Sequence, residues 1–138
     1  MLKLPDCTST KLRQLARVVS RHYDAELGKA GLTTSQFRLL SEIQAHGPIR
    51  PGDLAEAMAL DPSTLTRNLK PLLAKSWVGL GPGSDGRTRN ISISLSGRER
   101  RAEGLRHWTA AQASLHGLLG DRVVTQLHEL LGECLALV

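Results

Sequence analysis

Ser63, Thr64, Thr66, Arg67, Asn68 and Lys70 crowd into eight residues and carry the first chemical signal of this chain. Short hydroxyl side chains let a backbone approach base edges closely. An arginine can bond guanine through two parallel N–H groups, an asparagine can do the same to adenine, and a lysine meets phosphate as a point charge. Interleaved with them, Leu65, Leu69, Leu72 and Leu73 recur at helical spacing. One side of this segment must enter a core while the other stays polar, which suits a helix lying in a DNA groove. A solvated face of an ordinary helix has the same makeup, so the neighbours must decide.

A second cluster follows at Asp85, Arg87 and Arg89. The two arginines share one parity, so on an extended strand they project from the same side. Asp85 stands two residues before Arg87, where it can pin the guanidinium. Arginines on such a projection suit a minor groove. The bland alternative is a charged hairpin that only keeps the protein in solution.

The elements that must position these residues are legible too. Asp61 suits a helix N-cap and Pro62 the first helical position, where a missing N–H costs nothing. Pro71 falls inside the same helix, where loss of the bond to the Arg67 carbonyl predicts a bend or a loosening. Upstream, Leu54, Ala55 and Met58 form a short apolar stripe, so two short helices joined by a tight turn are expected. Downstream, Trp77, Val78 and Leu80 read as one strand. Ile91, Ile93 and Leu95 alternate with Ser92 and Ser94 as a second, half-buried strand. The run from Gly81 to Gly86 between them is a dense turn signal.

On both sides lie longer helical patterns. Leu12, Leu15, Ala16, Val19, Tyr23 and Leu27 make one stripe, and Thr33 with Gln36 forms a capping box ahead of Phe37, Leu40 and Ile43. Leu105, Trp108, Gln112, Leu115 and Leu119 repeat at steps of three and four. A last helix carries Val123, Leu127, Leu130, Leu131, Cys134, Leu135 and Val138. A helix from Arg98 to about Leu118 would be roughly 30 Å long and would protrude from so small a domain. The first helix and the last two are therefore expected to cross with those of a second chain, and a two-fold dimer matches palindromic DNA.

The stretches LAEAMALDPSTLTRNLKPL and WVGLGPGSDGRTRNISISLSG, with YDAELGKAGLTTSQFRLLSEI upstream, resemble the multiple antibiotic resistance regulator (MarR) family of bacterial transcription factors. The resemblance covers nearly the whole chain, and Asp85-x-Arg87 looks like the family's wing signature. Ser76 stands where the family usually has glycine, and Gly97 comes earlier than in the family's LTxxG pattern. The resemblance implies a mainly α fold with a small β-wing: a single domain over 1–138, with a winged helix-turn-helix lobe at 33–96 and dimerisation helices at 1–30 and 98–138. It implies a homodimeric, sequence-specific regulator of double-stranded DNA, a repressor by family default, that recognises a pseudo-palindromic operator and is released by a small-molecule effector. Arg17, His22, Tyr23, Arg38, His107 and Trp108 are the expected lining of an effector cleft. A redox-sensing regulator using Cys7 and Cys134 is an alternative, since a helix N-terminus can lower the thiol pKa of Cys7. A winged-helix protein-interaction module is another, disfavoured by the retained cations.

Composition agrees with this picture. The chain of 138 residues carries a formal charge of +5, which suits a polyanionic partner. Aromatic residues make up 3%, too few for a single-strand stacking platform. No apolar run approaches the roughly 20 residues of a membrane span, and MLKLPDC has no signal-peptide core. A location in the bacterial cytoplasm, at the nucleoid, is expected. No phosphate-binding glycine loop or nucleophile motif argues for an enzyme. His22, His46, His107, His116 and His128 show no metal-ligand spacing, so no metal or other cofactor is expected.

Overall fold

The computed structural model describes residues 6–83, Gly86 and 89–138. Six α-helices and a two-stranded antiparallel sheet follow one another as α1 (Thr8–Leu27), α2 (Thr34–His46), α3 (Pro51–Ala57), α4 (Pro62–Ala74), β1 (Val78–Pro82), β2 (Arg89–Ile93), α5 (Leu95–Leu119) and α6 (Asp121–Leu137). A single 3₁₀ turn at Gly28–Ala30 joins α1 to α2.

The central core gathers Leu27, Leu39, Leu40, Ile43, Leu54, Leu65, Leu72 and Ile91, all essentially sealed from solvent. It draws on the end of α1, on α2, α3 and α4, and on β2. Helix α2 begins at a reciprocal capping box: Gln36 N–H donates to Thr33 Oγ1 and Thr33 N–H to Gln36 Oε1, both at 3.1 Å. Asp24 of α1 accepts from the Thr34 N–H at 2.7 Å and its hydroxyl at 2.6 Å, which ties α1 to the start of α2.

Two helix ends, those of α3 and α4, share one device. After α3, Ala59 adopts a left-handed φ of 53°. Its N–H donates to the Glu56 carbonyl and that of Leu60 to the Ala55 carbonyl. After α4, Ser76 adopts φ 57°, its N–H donates to the Leu73 carbonyl, and Trp77 N–H donates to that of Leu72. Both are Schellman ends, which satisfy carbonyls the helix leaves open and normally use glycine at the left-handed position. Each turns the chain sharply enough to bring the next element back onto the core.

The wing is short. Val78 pairs with Ile93, Leu80 with Ile91 and Pro82 with Arg89. Ile91 is also bonded in both directions to Ile49, at 2.8 and 3.0 Å, so the sheet is pinned to the loop before α3. Leu95 is not a strand residue as its alternation predicted. Ser94 accepts a hydrogen bond from Gly97 N–H at 3.0 Å and acts as N-cap, so Leu95 opens α5 and is 74% exposed. Helix α5 thus starts three residues before the expected Arg98. Helix α4 continues past Pro71 to Ala74. Pro71 lies on the exposed side, where water can take up the bond that the Arg67 carbonyl loses.

Helix α5, 25 residues and about 37 Å long, runs from the wing out of the lobe. Gly120, at φ 82°, separates it from α6. Many apolar side chains here are exposed: Leu12 and Val18 on α1, Leu118 on α5, and Leu130, Leu135 and Leu137 on α6 are 50–85% exposed.

Candidate nucleic-acid interface

Helix α4 has the two-sided character its sequence predicts. Leu65, Leu69 and Leu72 are buried, Leu73 is half-buried, and Ser63, Thr66, Arg67 and Lys70 stand in solvent with Thr64 and Asn68 partly covered. Its first turn is held by one carboxylate. Asp61 Oδ1 accepts from Thr64 N–H at 2.9 Å and from Ser63 Oγ at 2.5 Å, and Oδ2 accepts from Thr64 Oγ1 at 2.8 Å. The hydrogen bonds from Ser63, then those from Thr64, hold the Asp61 carboxyl well below the usual carboxylate range. Arg67 Nη2 donates to Thr64 Oγ1 at 3.3 Å, and Thr66 Oγ1 donates to the Pro62 carbonyl at 2.9 Å. The exposed face of α4 is therefore an ordered array.

Beside it lies a feature that sequence spacing does not reveal. A cleft of about 120 Å³ separates α4 from the start of α2, lined by Thr33, Ser35, Gln36, Arg67, Asn68 and Pro71. These residues are some 30 positions apart in the chain, so only packing of α2 against α4 brings them together.

On the wing, Arg89 is exposed at the outer end of β2, paired with Pro82. Asp85 and Arg87 lie outside the described residues. The base of the wing is fixed by Ser94, whose one hydroxyl proton is shared between the carbonyls of Ser76 at 2.6 Å and Trp77 at 3.0 Å. The cations of Lys75 and Arg100 each sit 5.4 Å from the centre of the Trp77 ring.

The six residues expected to line one effector cleft are distributed among several places. Arg38 and Trp108 line a cleft of about 400 Å³ between α2 and α5, together with Phe37, Ser41, Arg101 and Leu105. There Phe37 and Trp108 stack at 6.3 Å, and Arg101 donates to Ser41 Oγ at 3.1 Å while lying over the Phe37 ring. Arg101 was not foreseen; its spacing from Leu105 and Trp108 on α5 was the available signal. Tyr23 lines a different, apolar groove of about 310 Å³ between α1, α5 and α6 and donates to Gln112 Oε1. Burial pushes its phenol up. His22 packs edge-on against Tyr23 at 6.4 Å. His107 faces Glu26 at 3.5 Å, and Glu26, held low first by Lys29 and also by His107, bonds Lys29 at 2.9 Å. Arg17 is exposed on α1 and lines neither cleft.

Cys7 and Cys134 are both free. Cys7 precedes the first residue of α1, and hydrogen bonds from Thr10 lower its thiol pKa. Cys134 is exposed on α6. Among the described residues no cluster of three metal-binding side chains occurs, and no helix is long and apolar enough to cross a membrane.

The profile of the MarR family matches residues 32–79, the span from the start of α2 to the first strand of the wing. A Bacillus subtilis protein, the uncharacterized HTH-type transcriptional regulator YxaD, is 30% identical over 111 residues, which cover 72% of this chain and 78% of YxaD. The chain belongs to the MarR family. Solved MarR-type structures share its fold throughout. The transcriptional regulator MosR of M. tuberculosis, in complex with DNA, aligns with a TM-score of 0.78 at 28% identity, over 95% of this chain and 98% of MosR. A mutant MarR of E. coli complexed with operator DNA aligns with a TM-score of 0.84 over 92% of each chain; at 22% identity that likeness speaks for the fold alone. As a MarR-family transcriptional regulator the chain is a winged-helix protein and not an enzyme.

Proposed function

We propose that this MarR-family protein is a homodimeric repressor that binds a pseudo-palindromic duplex through α4 and the wing and releases it when a small molecule binds. The observation that carries the reading is the exposed face of α4, where Ser63, Thr64, Thr66, Arg67, Asn68 and Lys70 are presented over a fully buried leucine row. Arg89 extends the cationic surface onto the wing; Arg87 and Asp85, expected from the sequence to act with it, lie outside the described residues. The solved relative MosR, held with DNA, supports the same use of the fold.

The uncovered leucines of α1 and α6 support a second copy as partner. Two copies related by a two-fold axis would set their α4 helices roughly 34 Å apart, one turn of DNA. In this reading the α2–α5 cleft holds the effector, since a ligand there touches both the DNA-facing lobe and the long helix leaving it. Arg38 and Trp108 remain its proposed contacts, with Arg101 added. Tyr23 acts from the adjoining groove, with His22 packed against it and His107 beside Glu26. Such a ligand changes DNA affinity only if it prefers one spacing of the two α4 helices.

Duplexes selected from fragmented genomic DNA, checked by gel shift at two salt concentrations, test the proposal. A short inverted repeat bound by a dimer supports it; binding without preferred sequence overturns the repressor reading. Release of DNA by oxidant favours the redox alternative, for which the lowered thiol pKa of Cys7 is the supporting observation. That alternative fails if a protein lacking Cys7 and Cys134 responds in the same way.

A further inference from the structure

Three hydroxyls on the exposed face of α4 have already committed their protons. Ser63 donates to Asp61 Oδ1, Thr64 donates to Asp61 Oδ2, and Thr66 donates to the carbonyl of Pro62. The direction of each bond is not in question, because an ionised carboxylate and a backbone carbonyl can only accept. Each hydroxyl therefore keeps its lone pairs free to accept. On Thr64 one of these receives Arg67 Nη2 at 3.3 Å, so the same oxygen that is fixed by Asp61 also places the guanidinium.

From this arrangement we infer that α4 reads DNA with an acceptor face: Ser63, Thr64 and Thr66 recognise an exocyclic amino group, the N6 of adenine or the N4 of cytosine, with Asp61 as the residue that sets this polarity. The inference rests on the reading of α4 as the groove-binding helix. In the major groove those two amino groups are the donors, whereas N7, O6 and O4 of the purines and thymine accept. A hydroxyl that still owned a free proton could bond either kind of edge. One whose proton is bound to a carboxylate, as on Ser63 and Thr64, discriminates between them, because charge-assisted bonds are about twice as strong as neutral ones; Thr66 is held more weakly, by the Pro62 carbonyl. Arg67, with only donors, serves the opposite chemistry and suits guanine.

Asp61 is thus a positioning residue with a second duty beyond capping. Asn is as good an N-cap as Asp, so Asp61→Asn keeps the bond to Thr64 N–H. Its amide, however, offers one acceptor oxygen and one donor NH₂ where the carboxylate offers two acceptors. One of the two hydroxyl protons on Ser63 and Thr64 is then released toward the groove.

The test uses the duplex selected by the parent protein. The amino groups of its adenines and cytosines are deleted one at a time, by purine for adenine and 2-pyrimidinone for cytosine. At one or more pairs contacted by α4, deletion should weaken the parent roughly five- to hundredfold, the usual range for one mismatched pair. Thr64→Val, which keeps shape and loses the acceptor, should be insensitive to at least one of those deletions. Asp61→Asn should show a smaller deletion effect while its helix content stays near that of the parent. If no amino deletion matters to the parent, or if Asp61→Asn and Thr64→Val respond to every deletion as the parent does, the acceptor face is overturned. If the parent selects no sequence at all, the groove-binding reading itself fails, and the inference with it.

Discussion

Gly97 and Trp77 are packed backbone to backbone: a β-carbon on Gly97 would fall 2.0 Å from the Trp77 carbonyl oxygen and 2.8 Å from Cγ1 of Ile93. This contact joins the first turn of α5 to the base of the wing, so it links the long outer helix to the DNA-facing lobe. The early glycine, out of place against the family pattern, is explained by it. Gly97→Ala should destabilise the fold by about 1–3 kcal/mol, as overpacking does, with a lower urea midpoint at unchanged slope as the readout.

Ser76 makes the opposite prediction. It holds φ 57° at the end of α4, in the left-handed region that favours glycine. Ser76→Gly relieves the left-handed strain, offset in part by the greater freedom of glycine when unfolded. The expected outcome is a gain of roughly 0.5–1 kcal/mol in equilibrium unfolding. Ala59→Gly at the turn between α3 and α4 should behave alike, since Ala59 occupies the matching position.

Stability should fall in acid partly through the α4 cap. The folded-state pKa of Asp61 is lowered, chiefly by Ser63 and Thr64. Its contribution is therefore complete above the ordinary carboxylate value of about 4 and is lost as pH drops below it. Urea midpoints of the parent and Asp61→Asn should draw closer between pH 4 and pH 3, with the remaining difference lost only in stronger acid. A difference that stays constant across this range would show that the carboxylate adds no pH-dependent stability.

Binding should separate two kinds of cation. Arg67→Ala is expected to cost about 1–3 kcal/mol and to relax preference at one position of the site, whereas Lys70→Ala should weaken all duplexes alike and lower the salt slope by about one per site. Arg87→Ala is expected to act like Lys70→Ala. With six to ten phosphates engaged by a dimer, affinity should drop by roughly 10³–10⁵ between 50 and 200 mM salt. Gel shifts over that salt range check all of these.

Leu130 and Leu135 are 58% and 75% exposed on α6. Changing both to glutamate should leave the helical circular dichroism of the lobe intact and shift sedimentation from dimer to monomer. Operator affinity should fall in parallel, because a monomer holds only one half-site.

Much of this protein could be read without its structure, for local reasons. The cap and proline that start α4, the capping box of Thr33 and Gln36, and the apolar rows of α2 and α4 depend on neighbours within a turn or two, and linear spacing records them. The split of α4 into a leucine face and a hydroxyl-and-cation face belongs to the same class. Tertiary packing decided the rest. Leu95 alternates like a strand residue, yet the hydroxyl of Ser94 turns the chain into a helix there because the carbonyls of Ser76 and Trp77 lie within its reach. Ser76 and Ala59 adopt a glycine-like backbone because the turn must return Trp77 and Leu60 to the core. Arg38 and Trp108 meet at one cleft while Arg17 stands apart, since a cleft between two helices depends on how they cross, and no residue spacing encodes a crossing. Sequence determined which side chains face outward on α4 and which neighbours take their protons; only the packing of α2 against α4 decided that Thr33, Ser35 and Gln36 lie beside them.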